Sequence, residues 1–168
     1  MIQEIIEKMK NIKYGWKDKN ENIHYNIDEA FSDDYVLETP EEVLKNNVGV
    51  CWDQVELERN LFEKNNINFN TYFIVNYDDN KCPTHTFLIY EDKNNYYWFE
   101  HSWERFRGIH KYKNEKEALI DITNKFIKYE LKNQKDNLCL YKYTKPKYGI
   151  NCLEFYKHCE QGKKIKFK

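Results

Sequence analysis

Charge excess is the first thing this sequence lacks. Lys and Arg total 27 against 28 Asp and Glu, a net charge of −1. A general nucleic-acid binder carries a clear basic excess, so that class is set aside. The short basic tail, Lys163-Lys164-Ile165-Lys166-Phe167-Lys168, reads as a solvated end rather than a binding arm. Long apolar runs are also missing. No stretch approaches the roughly 20 residues of a membrane span. Charges interrupt the opening MIQEIIEKMKNIKYGW, which therefore does not read as a signal peptide. Glycine (5) and proline (3) are scarce, and no linker, repeat or low-complexity tract divides the chain. Its 168 residues are expected to form one domain with a real core. Cysteines number 5, odd in count and irregular in spacing, which argues against a complete disulfide framework. The expectation is a reducing, cytoplasmic setting with free thiols.

What is abundant is Asn, Lys, Ile and Tyr, a bias that fits an AT-rich coding genome and carries no chemistry. Aromatic residues make up 17%, with 14 Tyr and 10 Phe, which suits a strand-rich core or an aromatic-lined groove.

Ile2, Ile5, Ile6, Met9 and Ile12 recur at helical spacing and predict an amphipathic helix over residues 1–13. YGWKDKNENIHYN follows as a loop or short hairpin. Thr39-Pro40-Glu41-Glu42 is a helix start with a capping box and proline in the first turn. That helix is expected to end near Asn47, with Gly49 taking the left-handed conformation. A second helix is predicted over residues 51–64, with Val55, Leu61 and Phe62 inward and Glu56, Glu58 and Arg59 on its exposed side. The period then changes to two. FNTYFIVNY (69–77), THTFLIYE (84–91) and YYWFEHSW (96–103) read as strands, with EDKNN as a hairpin loop between the last two. Helical spacing returns over residues 115–131. YKYTKPKYGINCLEFYKHC then reads as an irregular loop and a short helix. The order predicts an α+β fold with an antiparallel meander.

Cys51 opens the second helix, where exposed N–H groups and the helix dipole favour thiolate over thiol. His85 falls inside an apolar strand, where a buried imidazole needs a partner. Glu100 and His101 follow in the next strand. A thiol on a helix, an imidazole on one strand and a carboxylate on its neighbour are the parts of a nucleophile, base and orienter. Hairpin register decides the orienter. Pairing Tyr90 with Asn95 puts Glu100 opposite His85, whereas pairing Glu91 with Asn95 puts His101 there.

Gly49-Val50-Cys51-Trp52-Asp53, then His85, then Glu100-His101-Ser102-Trp103 together resemble the transglutaminase-like superfamily, related to papain-type cysteine peptidases. SDDYVLETPEEVLKNNVG also looks like the segment leading into the family cysteine. The resemblance covers residues 35–103 and departs from the family pattern at Glu100, where aspartate is usual. It implies a papain-like core over those residues, the cysteine helix packed on an antiparallel sheet, and flanking helices at 1–13 and 115–168 within a single domain 1–168. It also implies a Cys51–His85–Glu100 triad and favours the Glu100 register. Bacterial members resemble hydrolases more often than cross-linkers. The expected activity is therefore cysteine-dependent acyl transfer on an amide or peptide bond, with a peptide or protein substrate and no cofactor.

The Cys51 N–H is one expected oxyanion donor. Tyr14, Trp16 and Asn47 are candidates for the second. Trp52, His101 and Trp103 are candidates for the groove, as is Trp98, which core packing explains equally well. Asp53 is expected to be structural, and Gln54 to make a contact on the helix surface. Two other classes stand beside the enzyme. One is a binding module that keeps the fold without turnover. The other is a zinc-stabilised interaction domain built on Cys82-x-x-His85 and Cys152, His158 and Cys159, whose spacing matches no zinc ribbon or finger, so no metal site is assigned.

Overall fold

In this computed structural model, which describes residues 1–78 and 82–166, the amphipathic opening forms α1 (Ile2–Met9) and buries Ile5 and Met9. Short strands β1 (Lys13–Tyr14), β2 (Trp16–Lys17) and β3 (Ile23–His24) follow, then one turn of helix, α2 (Phe31–Asp34). The capping box forms as expected. Thr39 Oγ1 accepts from Glu42 N and Glu42 Oε1 from Thr39 N, starting α3 (Pro40–Asn46). Asn47, at φ 53°, ends that helix in the left-handed conformation expected of Gly49. Gly49 instead lies in β4 (Val48–Gly49), which pairs parallel with β1. Its missing Cβ lets α4 (Cys51–Lys64) close against it, because an added Cβ would lie 2.9 Å from that of Asp53.

Then come β5 (Phe69–Asn76), β6 (Thr84–Asp92), β7 (Asn95–Glu100), β8 (Gly108–Tyr112), α5 (Glu115–Tyr129), β9 (Leu138–Tyr143), α6 (Cys152–Glu160) and β10 (Lys163–Ile165). The main sheet has the order β10-β9-β5-β6-β7-β8, with antiparallel pairing throughout. Alternation along β5 and β6 sends Phe73, Val75, Leu88 and Tyr90 toward α4, and Tyr72, Ile74, Phe87 and Ile89 toward α5. Each side chain of this kind, buried in full, contributes about 1.5–3 kcal/mol. The fold is α+β, the cysteine-bearing helix packed on an antiparallel sheet with helices beside it.

Four sequence expectations give way here. Residues 141–143, read above as the start of a loop, belong to the strand at 138–143, and residues 163–165 of the basic tail form the outermost strand; Phe167 and Lys168 lie outside the described residues. The β6–β7 turn has two residues, Lys93 and Asn94, both at positive φ, and pairs Asp92 with Asn95, which is neither register weighed above. Finally, α4 has no exposed charged side. Glu56, Glu58 and Arg59 are all buried, at 0%, 2% and 6% exposure. Arg59 Nε donates to Glu56 Oε1 at 2.7 Å and Arg59 Nη2 to Thr71 Oγ1 at 2.5 Å, with the Tyr143 ring 5.4 Å from the guanidinium. Tyr143 ends β9, the strand the sequence pattern did not reveal, and it covers the face that looked free.

Candidate active site

Cys51 is the first residue of α4, entered from Val50, whose backbone N–H donates 3.0 Å to Asp53 Oδ2. Asp53 also accepts from the Tyr35 hydroxyl at 2.8 Å and from Glu38 N at 3.0 Å. It is a buried staple that fixes how the chain reaches the cysteine. Burial, with Glu38 adding repulsion, pushes its carboxyl well above the usual carboxylate range.

His85 stands at the second position of β6, on the face it shares with Phe87. Its Nε2 donates to Glu100 Oε1 at 2.5 Å. Glu100 ends β7. The two-residue turn shifts the pairing by two relative to the Glu100-opposite arrangement, so parity is kept and Glu100 stays on the face of His85 as a diagonal neighbour. The bend after β7 wraps three donors around the other carboxylate oxygen. Oε2 accepts from His101 N at 2.9 Å, Trp103 N at 3.2 Å and the Ser102 hydroxyl at 3.3 Å. The extra methylene of glutamate is thus taken up by diagonal register and a carboxylate clamped on both oxygens.

Burial alone would push the His85 imidazole below its ordinary value. The Glu100 carboxylate and the Cys51 sulfur outweigh that and raise it to about 10, with a side-chain hydrogen bond between His85 and Cys51 among the causes. Since Nε2 is committed to Glu100, Nδ1 is the nitrogen left for the thiol. Trp103 packs edge-on against the imidazole at 5.1 Å between ring centroids.

A cleft runs over Cys51 and divides there. One half, about 320 Å³, is lined equally by polar and apolar surface and takes its walls from His85, Thr84, Ser102, Trp103 and Glu104. The other, about 290 Å³, is largely apolar, with Ile27, Phe31, Trp52, Pro83 and Tyr156 among its walls. Tyr14, Cys51, Thr84 and Glu130 belong to both. Tyr14 keeps 37% of its surface exposed. Burial of its inner part, with Cys51, Asp53 and Glu130 contributing less, holds its phenol above the ordinary range, so it stays an O–H donor.

The other candidates fall in different places. Trp52 lines the apolar half, donates to Thr84 Oγ1 at 3.2 Å and stacks on Phe155. Trp16 is in the core, with its Nε1 committed to Asn26 O at 3.0 Å. Asn47 ends α3, its carbonyl taken by Lys13 N. Trp98 is fully buried under α5. His101 turns from His85 toward Gln54, with Nδ1 to Oε1 at 2.8 Å, and Gln54 Nε2 in turn donates to Gly49 O at 2.8 Å. Gln54 is buried, so it ties the segment before Cys51 to the bend holding Glu100 instead of meeting solvent. Burial and the nearby Arg107 cation depress His101 to about 4.

Glu104 and Glu130 were not foreseen, because an exposed glutamate beyond a strand or at a helix end has no periodic signature. All five cysteines are free thiols. Among the described residues no group of three or more His, Cys, Asp or Glu side chains could hold a metal ion. Among the described residues no helix is long and apolar enough to cross a membrane.

A family model described as a transglutaminase-like domain matches residues 2–128. No curated protein matches the chain.

Proposed function

The chain belongs to the transglutaminase-like domain family, and from that premise we propose that it is a cytoplasmic cysteine hydrolase of amide or peptide bonds working through Cys51, His85 and Glu100. The observation that carries this reading is His85 pinned to the Glu100 carboxylate at 2.5 Å on Nε2 while its ring shares the lining of one cleft with Cys51. The Cys51 thiolate attacks the substrate carbonyl carbon. The C=O electrons move onto oxygen, facing the Cys51 N–H and the Tyr14 hydroxyl. As the C–N bond breaks, His85 Nδ1–H protonates the leaving amine, and a thioester remains on Cys51. Water then gives a proton to neutral His85 and its hydroxide to the acyl carbon, releasing the acid and the thiolate. Glu100 keeps its charge and holds the ring. An amine in place of water would give transfer instead, which the resemblance makes the less common outcome.

Iodoacetamide alkylation of each cysteine, followed by peptide mass spectrometry from about pH 4 to 9, tests the nucleophile without a substrate. Cys51 is expected to react fastest and to keep reacting near pH 6. His85→Ala is expected to cut its rate there by about 100-fold, the thiolate fraction lost if the thiol returns to an ordinary titration. Glu100→Ala is expected to fall between. A Cys51 that behaves as an ordinary thiol in the wild type would point to the binding module without turnover.

A further inference from the structure

His24, in β3, has a carboxylate on each ring nitrogen. Its Nδ1 lies 2.7 Å from Asp28 Oδ2, and its Nε2 lies 2.7 Å from Asp18 Oδ2. Carboxylates only accept, so both nitrogens must donate, and only the imidazolium has two N–H groups to give. Asp18 and then Asp28 raise the imidazole above its ordinary value, and His24 in turn holds the Asp18 carboxyl down to about 2. The neighbouring cations are paired elsewhere, Lys17 with Glu21 and Lys19 with Asp34. Trp16 stacks on the imidazole at 4.3 Å between ring centroids, a placement that favours a cation.

This ring stands directly behind one wall of the cleft over Cys51. The chain at Gly15 passes so close that an added Cβ would lie 2.5 Å from the His24 carbonyl oxygen. Trp16 Nε1 donates to Asn26 O at 3.0 Å. Asp28 Oδ1 accepts from Ala30 N at 3.2 Å, and the Asp28 carbonyl accepts from Phe31 N at 3.2 Å. Tyr14, Ile27 and Phe31, each next to one of these contacts or part of it, all line the apolar half of the cleft. Strands β2 and β3 have two residues each, so their ladder alone does little to hold the segment.

We propose that His24 is a charge-dependent clasp, which as an imidazolium ties Asp18 to Asp28 and holds Ile27 and Phe31 in the cleft wall, and which on losing a proton releases one carboxylate and loosens that wall. The sign follows from the raised titration. The clasp is closed at low pH and opens as pH rises through the His24 value. It governs the shape of the cleft and not the chemistry at Cys51, so its failure and that of the hydrolase reading are told apart.

Asp28→Asn is the test variant. Its amide oxygen can keep the Ala30 N–H while its amide nitrogen donates to a neutral Nδ1, which leaves Nε2–H for Asp18. The full chain and this variant are followed from about pH 5 to about pH 10 by ring-detected NMR of His24 and by exchange protection of the Trp16 indole N–H. Alongside, the Cys51 alkylation rate with N-benzyl iodoacetamide is divided by that with iodoacetamide at each pH, so that the thiolate fraction cancels. In the wild type His24 is expected to titrate above the ordinary value of about 6.5. Indole protection and the preference for the benzyl reagent are expected to fall across that titration, the preference by about fivefold, as about half of a phenyl burial is lost. Asp28→Asn is expected to keep both through the same range. Three results would overturn the proposal: an ordinary His24 titration, a wild type that keeps both properties after His24 loses its proton, and a variant that loses them as the wild type does.

Discussion

At the scale of single residues, burial lowers both histidines beside Glu100, and their neighbours overturn that effect at His85 and add to it at His101. His85 faces a carboxylate and a sulfur and is raised to about 10, while His101 is lowered to about 4 by burial, with the Arg107 guanidinium adding to it. Ring-detected NMR titration is expected to show His85 protonated at neutral pH and up to about pH 10, and His101 neutral down to about pH 4. The stability consequences differ in sign. The His85 contribution is fully present below the unfolded imidazole value of about 6.5 and is lost as pH rises through about 10. The His101 contribution is present above about 6.5 and is lost as pH falls toward about 4. Glu100→Asp is the sharper test. Although aspartate is usual in the family pattern, here it would pull the carboxylate back by a methylene from a ring held at 2.5 Å and from three donors at its other oxygen. The expected result is a lower His85 titration and slower Cys51 alkylation near pH 6. An unchanged pair in Glu100→Asp would mean that the clamp is not what sets the His85 charge.

At the scale of elements, the sequence displayed what is local and hid what is made by contact. The capping box at Thr39, the start of α4 at Cys51 and the alternation along β5 to β7 are written in short-range patterns, and all of them formed. The triad candidates were legible because register parity, unlike register itself, is preserved between the arrangement weighed and the one adopted. The oxyanion candidates were not, since whether Tyr14, Trp16 or Asn47 reaches the cleft depends on how β1 and β4 pair. The charged side of α4 was misread for a similar reason. Helical periodicity cannot reveal that β9, more than 70 residues away, lies over Glu56 and Arg59. Glu58 tests the corrected view. It is 2% exposed, its Oε2 has no partner among the described residues, and burial with repulsion from Glu100 holds it well above the usual carboxylate range. A neutral Glu58→Gln is therefore expected to fold with stability changed by about 1 kcal/mol or less. Glu58→Lys should lose about 3–5 kcal/mol, because it buries an unpaired charge. Urea unfolding of the two variants measures this, and a harmless lysine would restore the exposed reading.

At the scale of the whole molecule, the family match and the folded unit do not end together. The match stops at residue 128, within α5, while β9, α6 and β10 lie beyond it. These later elements are wired into the centre. β9 pairs with β5 from Thr71 to Asn76, so its loss would leave an inner strand as a bare edge. Tyr143 OH lies 3.4 Å from Glu56, which with Arg59 makes the buried ion pair of α4. Phe155 of α6 stacks on Trp52 at 4.3 Å between ring centroids, one residue from Cys51. From these contacts we expect β9 and α6 to fold cooperatively with the elements before them, and a chain cut after Leu131 to lose fixed tertiary structure. Its near-UV circular dichroism should collapse, amide exchange in α4 should lose protection, and Cys51 should alkylate no faster than the other cysteines. A cut after Gly162 removes only β10 at the sheet's outer edge and should preserve all three properties. If the shorter chain instead keeps a protected α4 and a fast Cys51, the catalytic unit ends where the family match ends, and the last strands are an addition to it.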